Sequence, residues 1–456
     1  MRKFILPALA AAVHATAALA APLPAVTATP THTAAEPLPA AAPDIRWDAL
    51  GDPVLAALVA RGLAANLDIE QAAARIERSR AVLAGADAAF GPSGGVGVDA
   101  RSALASEAQQ AGTRTQRRSD TVGVGLTVSW ELDLFGRLRA QSGAATERVK
   151  ASEAQARAVR LAVSAEIAHA WFAVQGTREQ LALAQATAAN RERTVALVQA
   201  RLRHGQAAPL DEARAAADLD AVRAEVPLHQ AALRTASHRL AVLLGDSPAG
   251  FQAPESAALE PRAVTLPLPE AATWLAHRPD LQAHEAELLA RALDVQSARA
   301  AFYPRLSFSG MLGFVAGSAA TIGSGGTLAW LSLPALSAPL FDRPHLQARL
   351  GAARADQKEA LAAYRQRVLL AVEEVENALA GHAAGLARLA ALQRQARHAA
   401  TAEQLARARH EAGASDLLEL LDAQRTRHQA EAALSQALTA QRQSLAGVWK
   451  AIGAGA

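Results

Sequence analysis

The sequence predicts an internally duplicated α+β membrane protein in which four β-strands accompany four very long α-helices. Three observations carry that prediction. Segment 121–132 alternates strictly between apolar and small or polar residues, which is the period of a strand. It runs into a proline-free, Ala- and Arg-rich segment from Arg137 to His204, 68 residues. As one helix that segment would reach roughly 100 Å. The same passage from two-residue to helical periodicity recurs 206 residues later, across "SAPLFDRPHLQAR".

The elements follow in order from the N-terminus. "MRKFILPALAAAVHATAALAAP" has basic residues at Arg2 and Lys3, an apolar centre, and small residues at Ala18 and Ala20. Residues 1–20 therefore form a secretory signal cut after Ala20. Residues 21–45, rich in Pro, Ala and Thr, form an extended linker. A first repeat spans 46–248. It begins with one helical pattern from Trp47 to about Phe90, ended by Gly91 and Pro92. A strand at 94–105 and a polar loop precede the alternating strand 121–132. There Val122, Val124, Leu126, Val128, Trp130 and Leu132 share one face; Thr121, Gly123, Gly125, Thr127, Ser129 and Glu131 share the other. Within the long helix, Val163, Ile167, Ala170 and Val174 recur at three and four, the seam of a coiled coil. "HGQAAPLD" breaks it, and a second long helix runs to "LLGDSP" at 243–248. Residues 249–273, punctuated by Pro254, Pro261, Pro267 and Pro269, form a second linker.

The second repeat, 274–456, answers the first. Asp280 stands opposite Asp68 and Pro304 opposite Pro92, at an offset of 212. Segments 306–317 and 328–341 answer the two strands, and Phe341 answers Phe135 at 206. A proline-free stretch from His345 to the end answers the long helices, with Gly413 opposite Gly205 and Gly453 opposite Gly245 at 208. An offset this steady is a duplication.

Composition removes several function classes. Apolar residues make up 51% but Ala supplies much of that and aromatics only 4%, which suits helices packed through small side chains better than a large globular core. The net charge is +3, Lys occurs only at 3, 150, 358 and 450, and no Arg cluster is interleaved with aromatics, so no nucleic-acid partner is expected. Cysteine is absent, which excludes disulfides, thiol catalysis and Cys-based metal sites. "GPSGG" at 91–95 fits a nucleophile-elbow spacing, yet no strand leads in and no helix follows. "HEAEL" at 284–288 lacks the second His of a zinc helix, and "GSGG" at 323–326 has no following Lys-Ser/Thr. No enzyme, cofactor or metal site is expected.

Each repeat offers two strands of about ten residues, the length that crosses a bilayer when tilted. The apolar face would meet lipid and the Gly/Ser/Thr face a lumen, while Trp130 and Trp330 suit either interfacial anchoring or core packing. Four strands cannot close a barrel, since membrane barrels start at about eight. Further copies must complete it: twelve strands from a trimer, or eight from a dimer. Phe135-Gly136-Arg137 and Phe341-Asp342-Arg343 then mark where strand leaves the membrane and helix enters the periplasm. The alternative is a periplasmic coiled-coil scaffold whose alternating segments form a small sheet.

"SWELDLFGRLRAQ" (129–141) resembles the strand-to-helix junction of TolC-like outer-membrane efflux proteins, in particular the NodT-type subgroup. "PLFDRPHLQARL" resembles the second junction and "EAGASDLLELLDAQR" the tip-and-aperture segment. The resemblance covers roughly residues 46–453. It implies a homotrimer with a twelve-stranded outer-membrane barrel in lipid, continued by a periplasmic helical tunnel. It also implies two partners, a periplasmic adaptor and an inner-membrane transporter of the RND type. The duct of a type I protein secretion system shares this architecture and is the alternative. Two departures stand out. "LAAP" (19–22) has the shape of a lipobox, but Pro22 occupies the acylated Cys position, so no lipid anchor is expected. The second junction reads Asp342-Arg343-Pro344 where relatives commonly carry Asp-Gly-Gly.

The functional candidates lie at the helix tips. Glu419 and Asp422 follow Gly413 by six and nine residues, three apart on one helix face. Spacing alone suits an ordinary solvated acidic face. The resemblance matches them to the carboxylates that ring the closed aperture, where like charges repel one another and attract cations. Asp211, six after Gly205, matches a tip carboxylate that helps latch the closed state, with Arg201 or Arg203 as nearby partners. Gly205 and Gly413 read as helix C-caps. The resemblance also puts adaptor docking on these turns: Arg203, His204, Gly205 and Leu210 in the first repeat, Gly413, Ser415 and Leu417 in the second.

Overall fold

The computed structural model describes residue 47 and residues 52–106, 118–255 and 271–453; the expected signal, the first linker and most of the second lie outside the described residues. Two helices, α1 (Pro53–Ala65) and α2 (Leu67–Ala88), lead into β1 (Ser93–Leu104) and β2 (Arg118–Leu132). Then come α3 (Arg137–Arg203) and α4 (Pro209–Leu243), the latter continuous through Pro227. The order repeats as α5 (Ala271–His277), α6 (Pro279–Ala300), β3 (Arg305–Ala316), β4 (Leu328–Ser337), α7 (Arg343–Glu411) and α8 (Leu417–Ala451). No described helix is long and apolar enough to cross a membrane.

Two expected elements differ from what forms. The single helix expected from Trp47 to Phe90 is broken at Asn66, which is extended at ψ 129°. Its side-chain oxygen accepts from the Asp68 amide at 2.9 Å, an N-cap that restarts the chain as α2. Helical periodicity continues across the break, so pattern alone did not reveal it. The strand expected to run to Phe341 stops at Ser337. Pro339 follows two residues later and has no N–H to give a ladder.

The four strands form one antiparallel sheet in the order β1-β2-β3-β4. Residues paired across an antiparallel ladder share a face. Leu126 pairs with Val96 on one side and Leu312 on the other, and Leu312 pairs in turn with Trp330. The apolar side chains of all four strands thus merge into one continuous face, which no single strand could establish.

The two repeats close on themselves by the same joint made with different chemistry. Asn66, at the start of α2, donates through its amide nitrogen to the Leu243 carbonyl at the end of α4, at 2.9 Å. Arg278, at the start of α6, donates to the Ala451 carbonyl at the end of α8, at 2.8 Å. Beside the first joint lies the main core, where α1 crosses α3 and Leu55, Ile167, Trp171, Leu240 and Trp449 are buried. Asp52, 1% exposed, holds it together: one oxygen caps α1 at the Val54 and Leu55 amides, and the other accepts from the Trp171 indole at 2.7 Å. Beside the second joint, Trp274, Leu281, Val375 and Ile452 make a smaller core.

Candidate functional site

On the Gly/Ser/Thr side of β1 and β2, Ser93, Gly95, Thr127 and Ser129 line a hollow together with Ser309 and Met311 of β3 and Leu331 and Leu333 of β4. The opposite face exposes Val96, Val98, Leu126, Leu312, Leu328 and Trp330 to its surroundings. A face that is small and polar along β1 and β2, backed by an apolar belt, is what a lumen inside lipid requires. Trp330 stands 75% exposed on the belt, whereas the Trp130 indole donates to the Phe90 carbonyl at 2.7 Å, pinning the strand end to the turn after α2.

The first strand-to-helix junction is a built turn. Arg137 Nη2 donates to both carboxylate oxygens of Glu131 at 2.9 and 2.8 Å. The Asp133 carboxylate accepts from the Leu138 and Arg139 amides at 3.1 and 2.9 Å, which caps α3, and Gly136 takes the left-handed conformation at φ 78°. Burial opposes ionisation of Asp133, yet those two amides and the Arg139 guanidinium hold its carboxyl below the ordinary range. Phe135 stacks on Tyr303 with ring centroids 4.9 Å apart. At the second junction Asp342 makes no side-chain cap, and Phe341 is 95% exposed, stacked on no ring among the described residues. The asymmetry shows in the sequence: the positions matching Glu131 and Asp133 are Ser337 and Pro339.

Both tips end in the same reversal. The Gly205 amide donates to the Leu202 carbonyl and the Gln206 amide to Arg201; likewise Gly413 to His410 and Ala414 to Arg409. Gly205 and Gly413 sit at φ 67° and 73°, so both are left-handed C-cap glycines. Arg203, His204, Gly205, Leu210 and Gly413 are exposed on the turns. Leu417 is instead buried with Val198, Ala215, Ala406, Leu420 and Leu421, leaving Leu418 as the outward leucine, and Ser415 is half-buried with its hydroxyl enclosed.

The acidic candidates are brought to the tip, each with a partner of its own. Glu419 pairs with Arg409 at 3.1 Å and Asp422 with Arg425 at 2.5 Å. Asp211 accepts from the Ala208 amide at 3.1 Å, steadying the first turn of α4. Among the described residues neither Arg201 nor Arg203 pairs with it: Arg201 reaches across to His410 on α7.

Above the tips runs a polar seam that sequence reasoning missed. Arg191 of α3, 3% exposed, pairs with Asp218 of α4 at 2.6 Å and touches the Gln424 side chain of α8. Glu403 of α7 lies between Arg407 and Arg427, both at 2.7 Å. Burial opposes its charge, and the two guanidinium groups overcome that and hold its carboxyl below the ordinary range. Arg191 and Gln424, 233 positions apart, leave no local signal in a sequence.

A duplicated chain with a membrane-ready sheet and long helices has counterparts among known proteins. The pattern of a family described as "Outer membrane efflux protein" matches residues 58–246 and 272–454. The chain belongs to the outer membrane efflux protein family. The outer membrane protein OprJ of Pseudomonas aeruginosa is 35% identical over 347 residues, 76% of this chain and 72% of that protein. The pyoverdine export outer membrane protein OpmQ of the same organism is 33% identical over 427 residues, 91% and 88% of the two chains. Among solved structures, the outer-membrane channel OprN superposes with a TM-score of 0.84 at 34% identity, covering 90% of this chain and 92% of the other. As an outer membrane efflux protein, the chain is a channel that resides in the outer membrane, extends into the periplasm and serves as the exit of an efflux pump. The secretion-duct alternative is not favoured by these relatives.

Proposed function

We propose that three copies close a twelve-stranded barrel and a helical tunnel, and that the tunnel ends in a gated aperture at the α3–α4 and α7–α8 tips. The observation that carries this reading is the imbalance of the chain's two halves. Among the described residues α3 packs along both α2 and α6, whereas α7 packs along α6 without a counterpart of α2, and β1 and β4 each leave one strand edge open. Phe341 is bare where Phe135 is stacked. A neighbouring copy supplies what is missing: its α2 beside α7, and its β1 beside β4. Glu419 and Asp422 line the aperture as charge-balanced pairs with Arg409 and Arg425, and Asp211 stiffens the opposing turn. A periplasmic adaptor docks on the exposed tip residues Arg203, His204, Gly205, Leu210 and Gly413, over a turn shaped by Ser415 and Leu417. An inner-membrane transporter of the RND type loads small molecules, such as drugs, metals or molecules like the pyoverdine that OpmQ is named for exporting.

The repeat offsets give the closure a register. Leu126 of β2 faces Leu312 of β3. Offsets of 206 and 212 carry that pair to Ser332 of one copy and Ala100 of the next, both on the apolar face. The native chain has no cysteine to confuse the readout. Ser332→Cys combined with Ala100→Cys should yield a covalent trimer on mild oxidation, and neither single variant should. A membrane-inserted double variant that stays monomeric on denaturing gels would sink this closure.

A further inference from the structure

We propose that His410 is an acid-sensitive tie that holds the tip closed, a regulation that rests on the reading of these tips as the channel's aperture. His410 lies in the last turn of α7 and is 9% exposed. One ring nitrogen, Nε2, is 2.6 Å from the Arg201 guanidinium of α3. The other, Nδ1, is 3.2 Å from the Ser415 carbonyl oxygen in the α7–α8 turn.

These two contacts decide the protonation state. A guanidinium offers donors and no acceptor, so Nε2 must present its lone pair to Arg201. A carbonyl only accepts, so Nδ1 must carry the hydrogen and donate it to Ser415. The imidazole is therefore the neutral Nδ1–H tautomer. In that form it links the end of α3 in the first repeat to the tip turn of the second, above the apolar cluster of Val198, Ala406, Leu417, Leu420 and Leu421.

A proton on Nε2 removes the acceptor and sets an imidazolium against a guanidinium. The surrounding groups do little to offset that charge. From α3 the facing group is Arg201 itself. On α7, Arg407 is paired with Glu403 at 2.7 Å, Arg409 is engaged with Glu419 of α8 at 3.1 Å, and Glu411 is exposed to solvent. At the start of α8, Asp416 is occupied in accepting the Glu419 amide at 3.0 Å. Acid therefore releases α3 from the α7–α8 turn, and the aperture opens more readily. An imidazole is suited to this because its charge ordinarily changes between about pH 5 and 8.

The test is the open probability of the purified full-length oligomer in planar bilayers, with the tip-side chamber moved from about pH 7.5 to 5.5, a span over which an imidazole ordinarily titrates. The native protein should open about tenfold more at the lower pH, the change that loss of a charge-assisted hydrogen bond produces. His410→Gln keeps an acceptor but takes no proton, and should stay low at both pH values. Arg201→Met abolishes the tie, and should be raised at both. Assembly of each variant is checked by its migration as an oligomer without heating. A native channel indifferent to pH, or variants that keep the native response, overturns the tie. If a well-inserted native oligomer and both variants never conduct at any pH, the aperture reading itself fails, which is a different result.

Discussion

Asp280→Asn probes the joint that closes the second repeat. Asp280 is held by Arg278 through two contacts, 3.0 and 2.7 Å, and by Arg367 at 2.7 Å. Arg278 is 5% exposed at its side chain and also contacts Glu374 at 2.6 Å and the Ala451 carbonyl at 2.8 Å. Burial alone would raise the Asp280 pKa, but the two guanidinium groups lower it from the ordinary 3.8 to about 2. At about 1.4 kcal/mol per pH unit, that difference contributes roughly 2 kcal/mol to the folded state. Because the folded pKa is depressed, the contribution is complete above about pH 4 and disappears as pH falls through about 2. Removing the charge also strands part of Arg278, which keeps Glu374 and one carbonyl. The loss at pH 7.5 should therefore be about 2–3 kcal/mol, under the 3–5 of a wholly orphaned buried charge. Thermal unfolding of detergent-solubilised protein at one fixed scan rate reads this out, since large assemblies unfold irreversibly. The variant should unfold at a lower temperature at pH 7.5, and its deficit should close toward pH 2. Parallel native and variant curves from pH 5 to 2, or equal midpoints at pH 7.5, would refute the assignment.

Two further substitution pairs carry their own controls. Gly245 and Gly250 are both left-handed, at φ 77° and 79°, but a β-carbon on Gly245 would lie 2.4 Å from the Ala65 carbonyl while one on Gly250 meets nothing. Gly250→Ala should cost about 1 kcal/mol of stability and Gly245→Ala several times that, measured as the yield and thermal midpoint of folded protein; equal losses would contradict the close packing of the first joint. Leu126→Arg and Thr127→Arg place the same charge on opposite faces of β2. The first should lower barrel stability by about 2–4 kcal/mol in lipid-refolding titrations and the second far less, and the reverse order would mean the lipid and lumen faces are exchanged.

Much of the architecture was legible because the signals are periodic and repeated. The alternation at 121–132 and the 68-residue proline-free run needed no partner to be read. Asn66 escaped notice because the helical pattern continues on both sides of it, and only its side-chain bond to the Asp68 amide distinguishes a cap from an interior residue. Gly205 and Gly413 were legible as caps, since a glycine closing a long helix has few other reasons to stand there. The partners of the tip carboxylates were not legible. Asp211 had Arg201 and Arg203 within ten residues, yet it bonds the Ala208 amide at the start of its own helix, and Arg201 reaches a histidine 209 positions away.

The sequence by itself determined the duplication, the kind of each element, the strand-to-helix junctions and the tips, because each depends on composition and spacing within a short window. Only the tertiary structure decided the register that merges four apolar strand faces into one belt, the paired joints at Asn66 and Arg278, and the meeting of His410 with Arg201. Those depend on which distant backbone or side chain arrives within about 3 Å, the range of a hydrogen bond. Local periodicity carries no record of that encounter.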